Sequence, residues 1–325
     1  MRAIVRKAFG GTDQLAIIEV ADPKPASGEV LIRVKAFGLN RAEIYMRRGL
    51  WGEVAAISGI ECIGEVVRDP SHRLPAGQVV AAVMGGMGRS RNGSYAELVT
   101  APASNIFALT SNLPWPELAA IPESYATAWC CLWQNLQLQA GGRLLIRGGT
   151  SALGQAAINL ARQLPEVTLL ATTRQPHQVS RLQALGCDQV LLESDSLHSQ
   201  VRDLYPSGVD AVLDIIGNRT LLDSLHMAKK GGYVCNAGFL GGGDPIPFNP
   251  LSDMPSGVNL NFFGSFMLGS ADYPLSAIPM QAIIEGSANG HYHNQPAAVF
   301  AFEQIASAQQ LMESNQAGGK IVVQI

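Results

Sequence analysis

The stretch Arg143-Leu-Leu-Ile-Arg-Gly-Gly-Thr-Ser-Ala-Leu-Gly-Gln-Ala-Ala-Ile-Asn-Leu-Ala-Arg162 has residue types and spacing that point to a phosphate cradle. A short apolar strand, Leu144 to Ile146, enters a small-residue turn, Gly148 to Gly154. Ala156, Ala157, Leu160 and Ala161 then recur at helical spacing. The first N–H groups of a helix have no intrahelical partner, and the positive end of the macrodipole lies behind them, so this turn suits a dinucleotide pyrophosphate. Aligned on its last glycine, the turn reads Gly149-x-Ser151-x-x-Gly154, with serine replacing the middle glycine of the G-x-G-x-x-G pattern. Gly149 is expected to allow the tight turn and Gly154 close helix-to-strand packing. Ser151 is expected to keep the ligand-facing position small and to add a hydroxyl donor. Thr150, Ala152 and Leu153 complete the cradle.

The choice of nucleotide rests on the end of the second strand. A carboxylate about 20 residues past the glycine turn would bond a ribose 2′-hydroxyl. Thr172-Thr-Arg-Gln175 stands there instead. Thr173 offers a hydrogen bond to a 2′-phosphate and Arg174 a charge-assisted pair, so NADPH is expected over NADH.

The elements that must position these groups form an alternation. From Arg143 to Gly238 short apolar strands are expected at Leu144–Ile146, Thr168–Thr172, Gln189–Leu192, Ala211–Ile215 and Tyr233–Ala237, with a helix at Asn218–Ala228 between the last two. This is the pattern of a doubly wound parallel sheet, in which ligands bind at the carboxyl ends of the strands. Thr172, Thr173 and Arg174, Ile216, Gly217 and Asn218, and Gly238, Phe239 and Leu240 are therefore expected to line the crevice. Upstream the chain reads as strands and turns, with a short helix at Ala42–Arg48 carrying Glu43, Tyr45, Arg47 and Arg48. The loop from Gly85 to Gly93 carries Arg89 and Arg91. Downstream come an irregular stretch to Asn259, an apolar run through Phe266, helix-like segments at 275–286 and 301–314, and a final strand Lys320–Ile325 expected to rejoin the first domain.

Length and composition set the remaining bounds. At 325 residues two domains are the default. A net charge of −3 offers no field for nucleic acid or an anionic membrane, so neither partner is expected. Five cysteines, odd in number and never in a Cys-x-x-Cys pair, read as reduced thiols. No signal peptide and no run near the ~18 apolar residues of a membrane span is present, which makes the cytoplasm the expectation. The loop histidines His291 and His293 lack a third ligand, and no metal is expected.

The assembled features resemble the medium-chain dehydrogenase/reductase superfamily, in its zinc-independent quinone oxidoreductase branch that includes zeta-crystallin. The resemblance spans nearly the whole chain: Gly38-Leu-Asn-Arg-Ala-Glu-Ile-Tyr-Met-Arg-Arg-Gly49, Gly59-Ile-Glu-Cys-Ile-Gly-Glu-Val66, Gly93-Ser-Tyr-Ala-Glu97, Ala119-Ala-Ile-Pro122, the cradle, Gly208-Val-Asp-Ala-Val-Leu-Asp214, Gly231-Gly232 and Gly318-Gly-Lys-Ile-Val322. It implies a GroES-like β-rich catalytic domain over 1–118 and 260–325, an inserted Rossmann domain over 119–259, and a homodimer.

The departures also bear on chemistry. Zinc alcohol dehydrogenases of the superfamily carry Cys where Asn40 stands and His where Ile60 stands, so neither zinc ligand is present. Within the branch, Glu43 replaces the usual Asp, Ser151-Ala152 the usual Gly-Gly, and Asn159 the usual Gln. The resemblance implies hydride transfer from NADPH to a quinone or an α,β-unsaturated carbonyl, with Thr150 to Leu153, Arg174, Asn218 and Ala237 to Leu240 against the cofactor and Tyr45 and Asn40 at the reacting end. Tyr45 is a neutral phenol donor or a positioning ring. Asn40 is either a donor or a turn-closing residue. An enoyl-thioester reductase and a non-catalytic, crystallin-like NADPH-binding protein stand as alternatives on the same fold.

Overall fold

The computed structural model describes all 325 residues. In chain order the strands are β1 (Arg2–Arg6), β2 (Leu15–Glu19), β3 (Glu29–Gly38), β4 (Glu61–Arg68), β5 (Val79–Val83), β6 (Leu98–Pro102), β7 (Ile106–Ala108), β8 (Arg143–Arg147), β9 (Thr168–Thr173), β10 (Gln189–Leu192), β11 (Val209–Asp214), β12 (Ala228–Asn236), β13 (Asn259–Phe262), β14 (Ala298–Ala301) and β15 (Ile321–Gln324). They divide between two units, Met1–Ala126 with Phe266–Ile325, and Thr127–Ser265. The first division falls inside the helix Pro122–Trp129, a few residues beyond the bound drawn from the sequence.

The first unit is β-rich. Its main sheet runs β14-β15-β3-β4-β5-β7, with β6 also paired to β3, and β1 and β2 form a separate antiparallel pair. The period-two alternation of Val30, Ile32 and Val34 in β3 turns one face into the core, where these residues meet Phe37, Tyr95, Val99, Phe302 and Val323. The C-terminal strand β15 lies antiparallel to β3, pairing Val322 with Gly38 and Val323 with Phe37, so the tail completes the sheet that the N-terminus begins. The strand β14, parallel to β15, was not anticipated. With two of its four side chains exposed it carries little apolar signal.

The second unit holds a six-stranded, all-parallel sheet in the order β10-β9-β8-β11-β12-β13. From β8 the chain moves outward through β9 and β10, then returns to the other side of β8 with β11. The topological switch point is therefore between β8 and β11. Leu145, Leu170, Val212 and Val234 supply the buried middle of the sheet. The sixth strand, β13, lies in the apolar run from Asn259 to Phe266, to which no element is assigned from sequence. As an edge strand it buries only part of each side chain. The helix expected over Asn218–Ala228 ends at Leu225, because Ala228 already belongs to β12.

Candidate functional site

The cradle forms at the carboxyl end of β8. Gly148 takes the left-handed conformation (φ 97°), so it, and not Gly149, makes the tight turn. Gly149 instead allows close approach to β9, since a Cβ there would sit 2.9 Å from that of Ala171. A Cβ on Gly154 would lie 2.5 Å from the Gly148 carbonyl oxygen, so the helix Ala152–Ala161 can start against the turn only with glycine at that position. Ser151 is the N-cap of this helix. Its Oγ accepts the N–H of Gly154 (3.0 Å) and donates to the Gly148 carbonyl (2.8 Å). The hydroxyl expected to face a ligand is thus spent within the turn. The amides of Gly148, Gly149 and Ser151 are also bonded inside the fold. Those of Thr150, Ala152 and Leu153 make no bond within the chain and remain as the donor set at the positive end of the helix.

Around the cradle the other strand ends converge. Thr173, at the end of β9, is buried and its Oγ1 accepts the N–H of Gln175 (3.1 Å), shaping the turn that presents Arg174. Arg174 is exposed and has no acidic partner. At the end of β11, buried Asp214 accepts the N–H groups of Ile216 and Gly217 (both 2.9 Å) and the hydroxyls of Thr220 and Ser224. Burial raises the Asp214 carboxyl above its ordinary value against the pull of these donors. The result is a fixed loop that delivers Asn218, whose Nδ2 donates to the Asp244 carbonyl (2.6 Å). After β12, Ala237 and Leu240 hydrogen-bond to the β11 end through Asp214 and Ile215, and Gly238 packs where a Cβ would be 2.7 Å from the Ile215 carbonyl. Phe239 lies 6.0 Å, centroid to centroid, from Phe262. Every sequence-proposed cofactor residue therefore gathers at the carboxyl ends of β8, β9, β11 and β12.

In the β-rich unit Asn40 and Tyr45 share one helix, Arg41–Arg48. Asn40 is its extended N-cap, Glu43 accepts the Asn40 backbone N–H (2.9 Å), and Gly49 ends it in the left-handed region (φ 74°). The Asn40 side chain is engaged in a buried cluster that sequence reasoning missed. Its Nδ2 donates to Glu61 Oε1 (2.8 Å), and its Oδ1 accepts from Lys320 Nζ (2.8 Å). Lys320 also meets Glu61 Oε1 at 2.5 Å and Ser124 Oγ at 3.3 Å, which occupies all three ammonium hydrogens. The backbone N–H of Glu123 closes the cluster on Glu61 Oε2 (3.1 Å). Burial works against the Lys320 charge, but Glu61 and Glu123 outweigh it and hold the ammonium above the ordinary lysine value. The signal was present as a lysine between two glycines and a buried strand, read only as a family mark.

A second buried group sits one turn away. Glu43 accepts from the Asn40 and Ile60 backbones and from Tyr95 Oη at 2.7 Å, and burial pushes its carboxyl up to about 7. Tyr45 is half-buried. Burial raises its phenol while the charges of Arg41 and Arg48 pull it down.

A zinc ion does not fit the residues around Asn40. Asn40 and Ile60 supply no thiolate or imidazole, Glu61 is neutralised by Lys320, and no group of three His, Cys, Asp or Glu side chains in the chain is arranged to hold a metal. No helix is long and apolar enough to cross a membrane.

Comparison with known proteins places this geometry. Residues 26–111 match the alcohol dehydrogenase GroES-like domain, and residues 152–282 match the zinc-binding dehydrogenase domain. The chain is 28% identical to a rat (Rattus norvegicus) synaptic vesicle membrane protein VAT-1 homolog over 73% of its own length, and spans 59% of that relative. It is 26% identical to the quinone oxidoreductase of Lama guanicoe over 99% of this chain and 97% of that one. Among solved structures, a mycobacterial protein complexed with NADPH superposes with a TM-score of 0.88 at 24% identity, covering all of both chains. A Pseudomonas syringae quinone oxidoreductase superposes with 0.87 at 22% identity, covering 100% of this chain and 99% of that one. With its GroES-like and Rossmann-type domains and its likeness to quinone oxidoreductases along nearly its full length, the chain belongs to the quinone oxidoreductase branch of the medium-chain dehydrogenase/reductase family.

Proposed function

We propose that the protein is an NADPH-dependent, zinc-independent oxidoreductase that reduces quinones or α,β-unsaturated carbonyls in the cytoplasm, and a homodimer, as its resemblance implies. The observation that carries this reading is the cradle: three unspent amides at the positive end of a ten-residue helix, at the switch point of a parallel sheet. When bound, the nicotinamide supplies a hydride. Thr150, Ala152 and Leu153 would hold the pyrophosphate, Arg174 the 2′-phosphate, and Asn218 with Ala237 to Leu240 the nicotinamide half.

Reduction needs a donor for the oxygen on which charge appears. Tyr45 keeps its proton at neutral pH and supplies one O–H. Asn40 has one N–H left after serving Glu61, and Lys320 orients that amide. Oxidation of an alcohol passes through an alkoxide that zinc normally stabilises in the superfamily, and the donor set around Asn40 does not suit zinc.

Oxidation of NADPH and NADH at matched concentrations against ortho- and para-quinones, alkenals and an enoyl-CoA, with and without a chelator, tests the proposal. Chelator-insensitive turnover of a quinone or alkenal with NADPH preferred is expected. Turnover confined to the enoyl-CoA would replace the substrate class, and NADPH binding without turnover of any acceptor would defeat the enzymatic reading.

A further inference from the structure

Within the β-rich unit the ring of Tyr45 has an aromatic neighbour outside its own helix, and that neighbour in turn carries a cation. The Trp51 ring lies nearly parallel to it, with 13° between planes and 6.2 Å between centroids. The Arg89 guanidinium lies over Trp51, 5.5 Å from its centroid. Arg89 is partly exposed and forms no hydrogen bond or ion pair through its side chain. Other arginines of the same unit do: Arg91 is paired with Glu29 at 2.6 Å, and Arg48 with Glu313 at 3.1 Å. Glu53, the one acid in the loop after Gly49, is exposed and forms no ion pair with it. An arginine resting on an indole, with all five N–H donors unspent, has the chemistry of a receptor for a flat ring bearing an anion.

We propose that Trp51 and Arg89 form an acceptor subsite beside Tyr45 that selects planar conjugated acceptors carrying an anionic substituent, a carboxylate or sulfonate. The proposal deepens the reductase reading and rests on it. A neutral quinone gains stacking on Trp51 but leaves the guanidinium to water. An anionic one also gains charge-assisted hydrogen bonds, which a planar fork can make in pairs. Arg41 and Arg48, whose charges reach Tyr45, add to the same sign of field.

The test compares 1,2-naphthoquinone-4-sulfonate with 1,2-naphthoquinone as acceptors for the full chain with NADPH, corrected for their uncatalysed reaction. It also compares binding of the unreactive pair 2-naphthalenesulfonate and 2-naphthalenesulfonamide by calorimetry. The ratio of kcat/KM, sulfonate over neutral quinone, is expected to fall about tenfold in Arg89→Gln, through KM, and to be kept in part by Arg89→Lys. The sulfonate should bind about tenfold more tightly than the sulfonamide in the native protein and lose that advantage in Arg89→Gln and in high salt. Turnover with an unchanged ratio in Arg89→Gln overturns the subsite and leaves the reductase standing. Sulfonate binding that depends on Arg89, without turnover of either quinone, supports the subsite as an anion–aromatic receptor and removes the reductase. Equal binding of sulfonate and sulfonamide in the native protein overturns the subsite.

Discussion

Lys320 Nζ stands 2.5 Å from Glu61 Oε1 although the two residues belong to opposite ends of the chain, and both are buried. The pair shares Asn40 between them, so the amide is held by a cation on one side and a carboxylate on the other. Replacing Lys320 by Met leaves Glu61 buried and uncompensated, and should cost about 3 kcal/mol or more in denaturant unfolding. The double variant Lys320→Met, Glu61→Gln should recover much of that loss. If the double variant is as unstable as Lys320→Met, packing and not charge accounts for the cost.

Glu43 should impose a pH dependence on stability. Below about pH 4.5 both folded and unfolded chains hold its proton, and its contribution to stability is fully present. As the pH rises toward 7 the unfolded chain ionises and the folded one does not, so stability falls, by about 3 kcal/mol in all, and levels off above 7. Glu43→Gln should flatten that slope in unfolding measured from pH 4.5 to 8, at the cost of one of the donors that the carboxylate now accepts. An unchanged slope would locate the titration elsewhere.

Gly154→Ala places a methyl against the Gly148 carbonyl and should open the cradle. Dinucleotide binding, followed by fluorescence of the reduced nicotinamide, should weaken by at least tenfold, with a stability loss of about 1–3 kcal/mol. Ser151→Ala is the milder change. It removes a helix cap worth about 1 kcal/mol and should lower Tm more than it alters nucleotide preference. A large loss of affinity in Ser151→Ala with unchanged Tm would assign its hydroxyl to the ligand after all.

Arg174→Ala should raise the Kd for NADPH about tenfold and leave that for NADH within about twofold, because its exposed guanidinium has no structural partner whose loss would spread. Parallel weakening of both nucleotides would show that Arg174 does not read the 2′-phosphate.

The cradle was legible because strand, turn and cap are consecutive residues, and local sterics alone decide their conformation. The assignment within it was not. Which glycine turns and which one packs depends on where Ala171 of the neighbouring strand falls, and Ser151 looked like a ligand donor until Gly148 and Gly154 were seen to consume its hydroxyl. The half-exposed edge strand β14 is not legible, and β13 only as an apolar run, because neither carries clear strand periodicity.

By itself the sequence determined the family, the two kinds of domain, the parallel sheet and the set of strand ends that line its crevice. Each of these follows from short-range pattern: burial on both faces makes a strand apolar, and a helix start needs small residues and a cap. Only the tertiary structure decided that Asn40, Glu61 and Lys320 form one buried cluster, and that Arg89 lies on Trp51 beside Tyr45. Those contacts join residues from separate strands and loops. A carboxylate, an amide and an ammonium read alike as surface or core until the sheet that pairs β15 with β3 brings Lys320 beside Asn40, out of water, where each polar atom must find a partner.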